Sequence, residues 1–222
     1  SQAFLARGYL AEGQTAQERI QVVADTAERI LGQPGFADRL VQYVANGWVS
    51  FSSPVWSNFG TSKGLPISCF GSAMGDNMAS ILHTQAEVGM MSKYGGGTSA
   101  FFGTLRERGA DISANGHSSG PVHFMQLFES ILDVISQGAV RRGTFTAYLP
   151  TDHPDILEFL DIGTEGNPIQ KMTYGVTVGD DWLQAVVDGD EDKRVVWARV
   201  LQRRRELGYP YILFRDTANR ET

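Results

Sequence analysis

Apolar positions recur at helical spacing from the start of the chain. Ile20, Val23, Ala27 and Ile30 share one face behind Thr15-Ala16-Gln17-Glu18, which has the form of a capping box, and Gly32 supplies a stop. A second helix is predicted over 36–46, with Leu40, Val41 and Val44 inward and Gly47 ending it. From Trp48 the pattern turns aromatic and rich in serine and glycine, broken by Pro54 and Pro66, and predicts loops and short strands, one of them over 65–70. Two longer amphipathic helices follow. One carries Met78, Ile81, Leu82, Ala86, Gly89 and Met90 behind Asp76 as N-cap; the other carries Phe124, Leu127, Phe128, Ile131, Leu132 and Ile135 after Pro121. Strands are predicted over 98–102, 144–149, 172–178 and 211–214, and a last helix over 192–207. Strands alternating with helices predict an α/β fold with parallel pairing, preceded by a helical segment over 1–47, so that 48–222 forms the main unit.

Composition narrows the classes. The 222 residues are 42% hydrophobic and 20% charged, ordinary for a globular chain large enough to bury a core without staples. The single cysteine, Cys69, excludes an internal disulfide framework and a cysteine-based zinc cluster. The apolar runs are far shorter than the roughly 18 residues of a membrane span, so no membrane partner is expected. A net charge of −6 argues against a polynucleotide partner and leaves small anions open. Ser1-Gln2-Ala3 reads as a cut into a longer chain.

Four places carry candidate chemistry, each beside a plainer reading. Gly95-Gly96-Gly97-Thr98-Ser99-Ala100 closes a helix and leads into a strand, the reverse of a dinucleotide fingerprint. It is either a helix stop with a tight entry or a backbone that approaches a ligand closely. Cys69 among apolar neighbours reads as a small buried hydrophobe, while Ser53, Ser68 and Gly97 would suit a pocket for a phosphorylated polyol, against serines that are common in loops. Arg106 and the pair Arg141-Arg142 adjoin glycine-rich bends and suit bidentate recognition of phosphate, against exposed surface arginines as the alternative. His83, His117, His123 and His153 lack metal-ligand spacing and read as structural; no metal site is expected. Asp152 and Asp155 read as helix-start chemistry before Ile156 and Leu157, and Arg199, Arg203, Arg204 and Arg205 as a solvated helix face.

Taken in order, several blocks resemble the catalytic large (alpha) subunit of ribonucleotide reductase. They are Ser52-Ser53-Pro54-Val55, Pro66-Ile67-Ser68-Cys69, Gly75-Asp76-Asn77, Ser92-Lys93-Tyr94-Gly95-Gly96-Gly97, Leu105-Arg106-Glu107-Arg108-Gly109 and Ser136-Gln137-Gly138-Ala139-Val140-Arg141-Arg142-Gly143. His153-Pro154-Asp155 and Gly208-Tyr209-Pro210-Tyr211-Ile212 extend the likeness over nearly the whole chain. The resemblance implies a ten-stranded α/β barrel, of which 48–222 would form the first half with an effector site. It implies that Cys69 is one of the two cysteines oxidised to a disulfide as the ribose 2′ carbon is reduced. Ser53, Ser68, Gly97 and Arg142 would line the substrate. Asp76, Asn77, Lys93, Arg106 and Ile112 would bind a deoxynucleoside triphosphate effector with magnesium, and Gln137 and Arg141 would relay effector identity to the substrate base. The family is cytoplasmic and pairs as a homodimer through a helix bundle, to which the two amphipathic helices correspond.

The family's Asn-x-Cys-x-Glu motif with its radical cysteine, the second redox cysteine and a later phosphate loop do not occur in residues 1–222, nor does an ATP-cone sequence. The expectation is a piece of an alpha chain whose C-terminal remainder supplies them. The radical source would be a partner metallosubunit (a beta subunit) or adenosylcobalamin, neither of them bound directly by this portion. The competing reading is a nucleotide-binding regulatory module without catalysis, using Asp76 and Arg106 but not Ser53, Ser68 and Cys69.

Overall fold

Thr15 begins the first long helix through the reciprocal bonds that its sequence predicts. Its Oγ1 accepts the Glu18 amide at 3.2 Å, and the Glu18 carboxylate accepts the Thr15 amide at 2.8 Å. The computed structural model describes residues 2–94, 96–113, 116–137, 141–142 and 144–222, without the side chains of Gln2, Phe4, Asp133, Ser136, Gln137, Arg141 and Arg142. The chain divides into two units: Ser1–Ser68 with Tyr94–Gly96, and Cys69–Lys93 with Gly97–Thr222.

The first unit holds α1 (Gln2–Leu5), α2 (Ala16–Leu31), α3 (Phe36–Ala45) and α4 (Ser53–Asn58). Gly32 closes α2 in the left-handed conformation, as expected. The inward face of α2 differs from the predicted one: Arg19, Val23 and Ala24 are buried, whereas Ile30 is exposed. The reason lies in α4, a helix where the sequence predicts a loop. Pro54 stands in its first turn, where a missing N–H costs nothing. Its late carbonyls turn toward α2: Arg19 Nε donates to Trp56 O at 2.7 Å, and Nη2 donates to Val55 O at 2.9 Å and Phe59 O at 2.6 Å.

The second unit runs β1 (Cys69–Ala73), α5 (Met78–Lys93), β2 (Gly97–Phe101), α6 (Pro121–Val134), β3 (Ser136–Gln137), β4 (Arg141–Arg142), β5 (Thr144–Pro150), α7 (Ile156–Phe159), β6 (Thr173–Val178), α8 (Asp180–Asp188), α9 (Glu191–Leu207), β7 (Tyr211–Phe214) and α10 (Arg215–Glu221). Five strands form one parallel sheet in the order β1-β2-β5-β6-β7. The first strand covers Cys69–Ala73 rather than 65–70. β3 and β4 form a separate antiparallel ladder, Ser136 opposite Arg142 and Gln137 opposite Arg141.

Alternate residues of the central strands build the core. Ala100 of β2 and Phe145, Ala147 and Leu149 of β5 are buried, and the Phe145 ring stacks on Phe128 of α6 at 4.9 Å. The amphipathic helices meet this core on faces shifted from the predicted ones. α5 buries Ile81, Thr84, Val88, Gly89 and Ser92, leaving Met78, Leu82, Ala86 and Met90 exposed. α6 buries Val122, Met125, Phe128 and Glu129. Each helix has two apolar faces, and periodicity alone does not say which meets the sheet. In α9, Arg203 departs from a solvated face: it donates to Leu160 O at 3.0 Å and pairs with Asp161 at 2.8 Å.

Candidate functional site

Parallel register and strand pleat together define the face that carries Cys69. Cys69 pairs with Gly97, Gly97 with Thr144, Ser99 with Thr146, Thr146 with Thr173, and Tyr148 with Gly175. Partners in a parallel ladder point the same way, so these residues line the side opposite the Phe145–Ala147–Leu149 core. That side is polar. Thr146 Oγ1 and Thr173 Oγ1 lie 2.6 Å apart, and Ser99 Oγ donates to Phe70 O at 3.4 Å. Tyr148 lies across Gly175, where an added Cβ would come within 2.4 Å of its ring. Cys69 is exposed at the head of β1, which corrects the reading of a small buried hydrophobe. Ser99, Thr146 and Thr173 were not singled out from sequence. Their signal, polar residues at alternate strand positions, becomes legible only once the register is known.

Ser53 and Ser68 belong to the first unit. Ser53 is the exposed first residue of α4, its carbonyl accepting Ser57 Oγ at 3.0 Å; Ser68 is half-buried.

A second cluster forms at the N-terminal end of α5. Asp76 does not cap that helix. Asn77 does, its Oδ1 accepting the Ser80 amide at 2.9 Å while its carbonyl accepts the Ile81 amide at 3.1 Å. Asp76 turns instead to Arg106, whose Nε donates to Oδ2 at 2.6 Å and whose amide reaches Oδ1 at 3.3 Å. Arg106 Nη1 donates to Asp111 O at 2.8 Å, which ties in a short hairpin: Ser118 N donates to Ala110 O, and Ile112 N donates to Gly116 O, each at 2.8 Å. The structure thus brings Asp76, Asn77, Arg106 and Ile112 to one place. Lys93 ends α5, roughly 22 Å along the helix axis from Met78. Within one chain it does not join that cluster.

Gln137, Arg141 and Arg142 lie on the two-residue strands β3 and β4 rather than in a loop; their side chains, and Gly138–Val140 entirely, lie outside the described residues, as does Gly95. His153, which lacks metal-ligand spacing in the sequence, is buried, with Nε2 2.9 Å from Leu105 O. Asp155 departs from its predicted role, since its carboxylate accepts the Arg108 amide at 2.8 Å instead of capping α7. Among the described residues no group of three His, Cys, Asp or Glu side chains could hold a metal, and no helix is long and apolar enough to cross a membrane.

The profile of the ribonucleotide reductase barrel domain matches residues 67–194. A putative ribonucleoside-diphosphate reductase large subunit of Frog virus 3 (isolate Goorha) is 30% identical over 208 residues, 85% of this chain and 36% of the viral one. A vitamin B12-dependent ribonucleoside-diphosphate reductase of Mycobacterium tuberculosis (strain H37Rv) is 35% identical over 154 residues, 68% of this chain and 22% of that one. The solved alpha subunit of the class Id ribonucleotide reductase of Actinobacillus ureae superposes with a TM-score of 0.90 at 55% identity, covering 98% of this chain and 40% of the solved one. The chain therefore spans well under half the length of these relatives.

Proposed function

Because the chain belongs to the ribonucleotide reductase family, an oxidoreductase family whose barrel-domain profile it matches over more than half its length, we propose that it forms the reducing and regulatory part of a ribonucleotide reductase alpha subunit. The observation that carries this reading is the placement of Cys69: an exposed thiol heading a strand on the polar face of the parallel sheet, opposite the glycine Gly97. A ribose can approach the backbone there, with hydroxyls of Ser99, Thr146 and Thr173 on the same face. Ser53 and Ser68, with Gly97 and Arg142, are assigned to the substrate.

The reaction balances as ribonucleotide plus two thiols giving deoxyribonucleotide, one disulfide and water. The C2′–O bond breaks, the oxygen leaves protonated, and two electrons come from the thiols. Cys69 supplies one thiol. The second thiol and the hydrogen-abstracting cysteine are assigned to alpha-chain residues other than 1–222. No step of radical generation is assigned to the present residues. The 55% identity to a class Id alpha subunit favours a partner subunit as the radical source, and the vitamin B12-dependent relatives keep adenosylcobalamin as the second reading.

Asp76, Asn77, Arg106 and Ile112 are assigned to a deoxynucleoside triphosphate effector. Asp76 accepts a deoxyribose hydroxyl, Arg106 binds the polyphosphate, and Ile112 touches the base. Magnesium is assigned to the effector's triphosphate, which would carry it into the site. Lys93 serves this site from a second copy. The exposed stripe of Met78, Leu82 and Met90 on α5 supports pairing of two chains through α5 and α6. Gln137 and Arg141 relay effector identity toward the substrate.

Calorimetric titration of the dimeric intact protein with each deoxynucleoside triphosphate, alongside a dithiol-dependent reduction assay, tests the reading. Binding with turnover supports it. Binding without turnover, even with a radical source present, would leave the regulatory module as the better account. Arg141→Ala is expected to keep effector affinity and to loosen the link between effector and preferred substrate.

A further inference from the structure

Three contacts of different kinds tie the segment 105–108 to the stretch that follows β5. His153 Nδ1 accepts the Asp155 amide at 3.0 Å, which leaves Nε2 to donate to the Leu105 carbonyl at 2.9 Å, deep in the protein. Asp155 Oδ2 accepts the Arg108 amide at 2.8 Å. The Arg108 guanidinium forks onto Glu158, Nε to Oε2 at 3.0 Å and Nη2 to Oε1 at 2.5 Å. Gly120 closes the arrangement from the side: with φ near +78°, it sits where a Cβ would come 2.8 Å from Asp155 Oδ2 and 3.1 Å from Arg108 N. Arg106 therefore stands between two tethered neighbours, Leu105 and Arg108, and its guanidinium meets Asp76 from a backbone that is already fixed.

We propose that His153, Asp155 and Glu158 are positioning residues for effector recognition, holding the segment 105–108 so that Arg106 presents its guanidinium beside Asp76. This rests on the assignment of Asp76 and Arg106 to the effector. The Arg108–Glu158 pair is about half exposed, with 48% and 40% of the side chains accessible. A pair of that kind contributes little to stability. What its two parallel bonds fix is direction. The strap also has a useful place in the chain. It follows the end of β5, and Gln137 and Arg141 precede the start of β5 in the chain, so the effector arginine and the relay residues are placed at opposite ends of one central strand.

The test uses the intact protein, titrated calorimetrically with each of the four deoxynucleoside triphosphates. Glu158→Arg and Arg108→Glu singly are expected to weaken the tightest of them by about fivefold or more, a coupling of ordinary size. The melting temperature should stay within about 2 °C, because the pair is a surface one. The charge-swapped double variant should return affinity to within about twofold of wild type, by restoring the fork with its ends exchanged. Arg106→Ala is measured alongside. If Arg106→Ala weakens binding while both single variants bind like wild type, the positioning role is overturned and the effector assignment stands. If affinity and melting temperature fall together and the swap restores neither, the contacts are merely structural and the proposal is equally overturned. If Arg106→Ala binds like wild type, or wild type binds none of the four, the effector assignment itself fails and takes the proposal with it.

Discussion

Arg106 and Asp76 occupy each other: Nε stands 2.6 Å from Oδ2, with both side chains a little over one-third exposed. The two groups assigned to opposite ends of an effector are thus paired with each other. A polyphosphate must compete with a carboxylate for the guanidinium. The competition is mild, since an exposed pair contributes at most about 1 kcal/mol.

Arg106→Ala should therefore weaken deoxynucleoside triphosphate binding by roughly tenfold to a hundredfold, the 1.5–3 kcal/mol typical of a charged hydrogen bond. Asp76→Asn should cost less than about tenfold, because the amide still accepts a hydroxyl and the competing charge is gone. Calorimetric titration separates them. Equal losses from the two variants would contradict the roles given to these side chains.

Arg19 offers a test of the first unit. Its buried guanidinium serves three carbonyls of the α4 turn, and burial holds its pKa below the ordinary value. Arg19→Met fills similar space but leaves those carbonyls unsatisfied, and should destabilise the fold by about 2–4 kcal/mol in denaturant unfolding. Arg19→Lys should recover only part, since the three donors of an ammonium sit on one nitrogen and do not reproduce the spread of Nε and Nη2. A loss below about 1 kcal/mol for Arg19→Met would mean that the contacts are incidental.

Tyr174 predicts an alkaline limit. Its buried hydroxyl has no hydrogen-bond partner among the described residues, and burial pushes its pKa from 10 up to about 12. Folding favours the neutral phenol, so the stabilising contribution is complete below pH 10 and is lost as pH rises through 12. Tyr174→Phe should be neutral or stabilising by up to about 1 kcal/mol at pH 7, and should lack that alkaline loss. Unfolding measured across the alkaline range checks both. A clear destabilisation at pH 7 would show that the hydroxyl has a partner after all.

Much of the second unit was legible from pattern. β2, β5, β6 and β7 lie within a residue or two of the predicted strands because alternation and flanking turns are local signals. The choice between two apolar faces of α5 and α6 was not, because it depends on the sheet they meet. Arg19 carries no signal of its own in the sequence, because the carbonyls it serves are brought to it by α4, and Asp155 reads as a cap until Arg108 approaches from forty-seven residues away. The candidate site divides similarly. Arg106 stands out beside its glycine-rich bend, and Asp76 and the redox role of Cys69 come from resemblance, whereas the face shared by Cys69, Ser99, Thr146 and Thr173 comes from register, and the tether behind Arg106 from long-range packing.

Cys69 carries the sharpest chemical test. Serine has nearly the same size, and the position is exposed, so Cys69→Ser should fold normally and bind effector with unchanged affinity. It should nevertheless lose multiple-turnover reduction. A hydroxyl cannot form the disulfide in which each turnover leaves two electrons' worth of oxidation, and the partner thiol alone supplies only half of what the C2′ reduction requires. The measurement is deoxyribonucleotide formed per intact protein with excess dithiol and a radical source, followed over many cycles beside effector titration of the same preparation. Loss of cycling with effector binding intact is the expected pair of results. A serine variant that cycles like wild type would make Cys69 a surface residue without a redox role, and the regulatory module would then account for the chain.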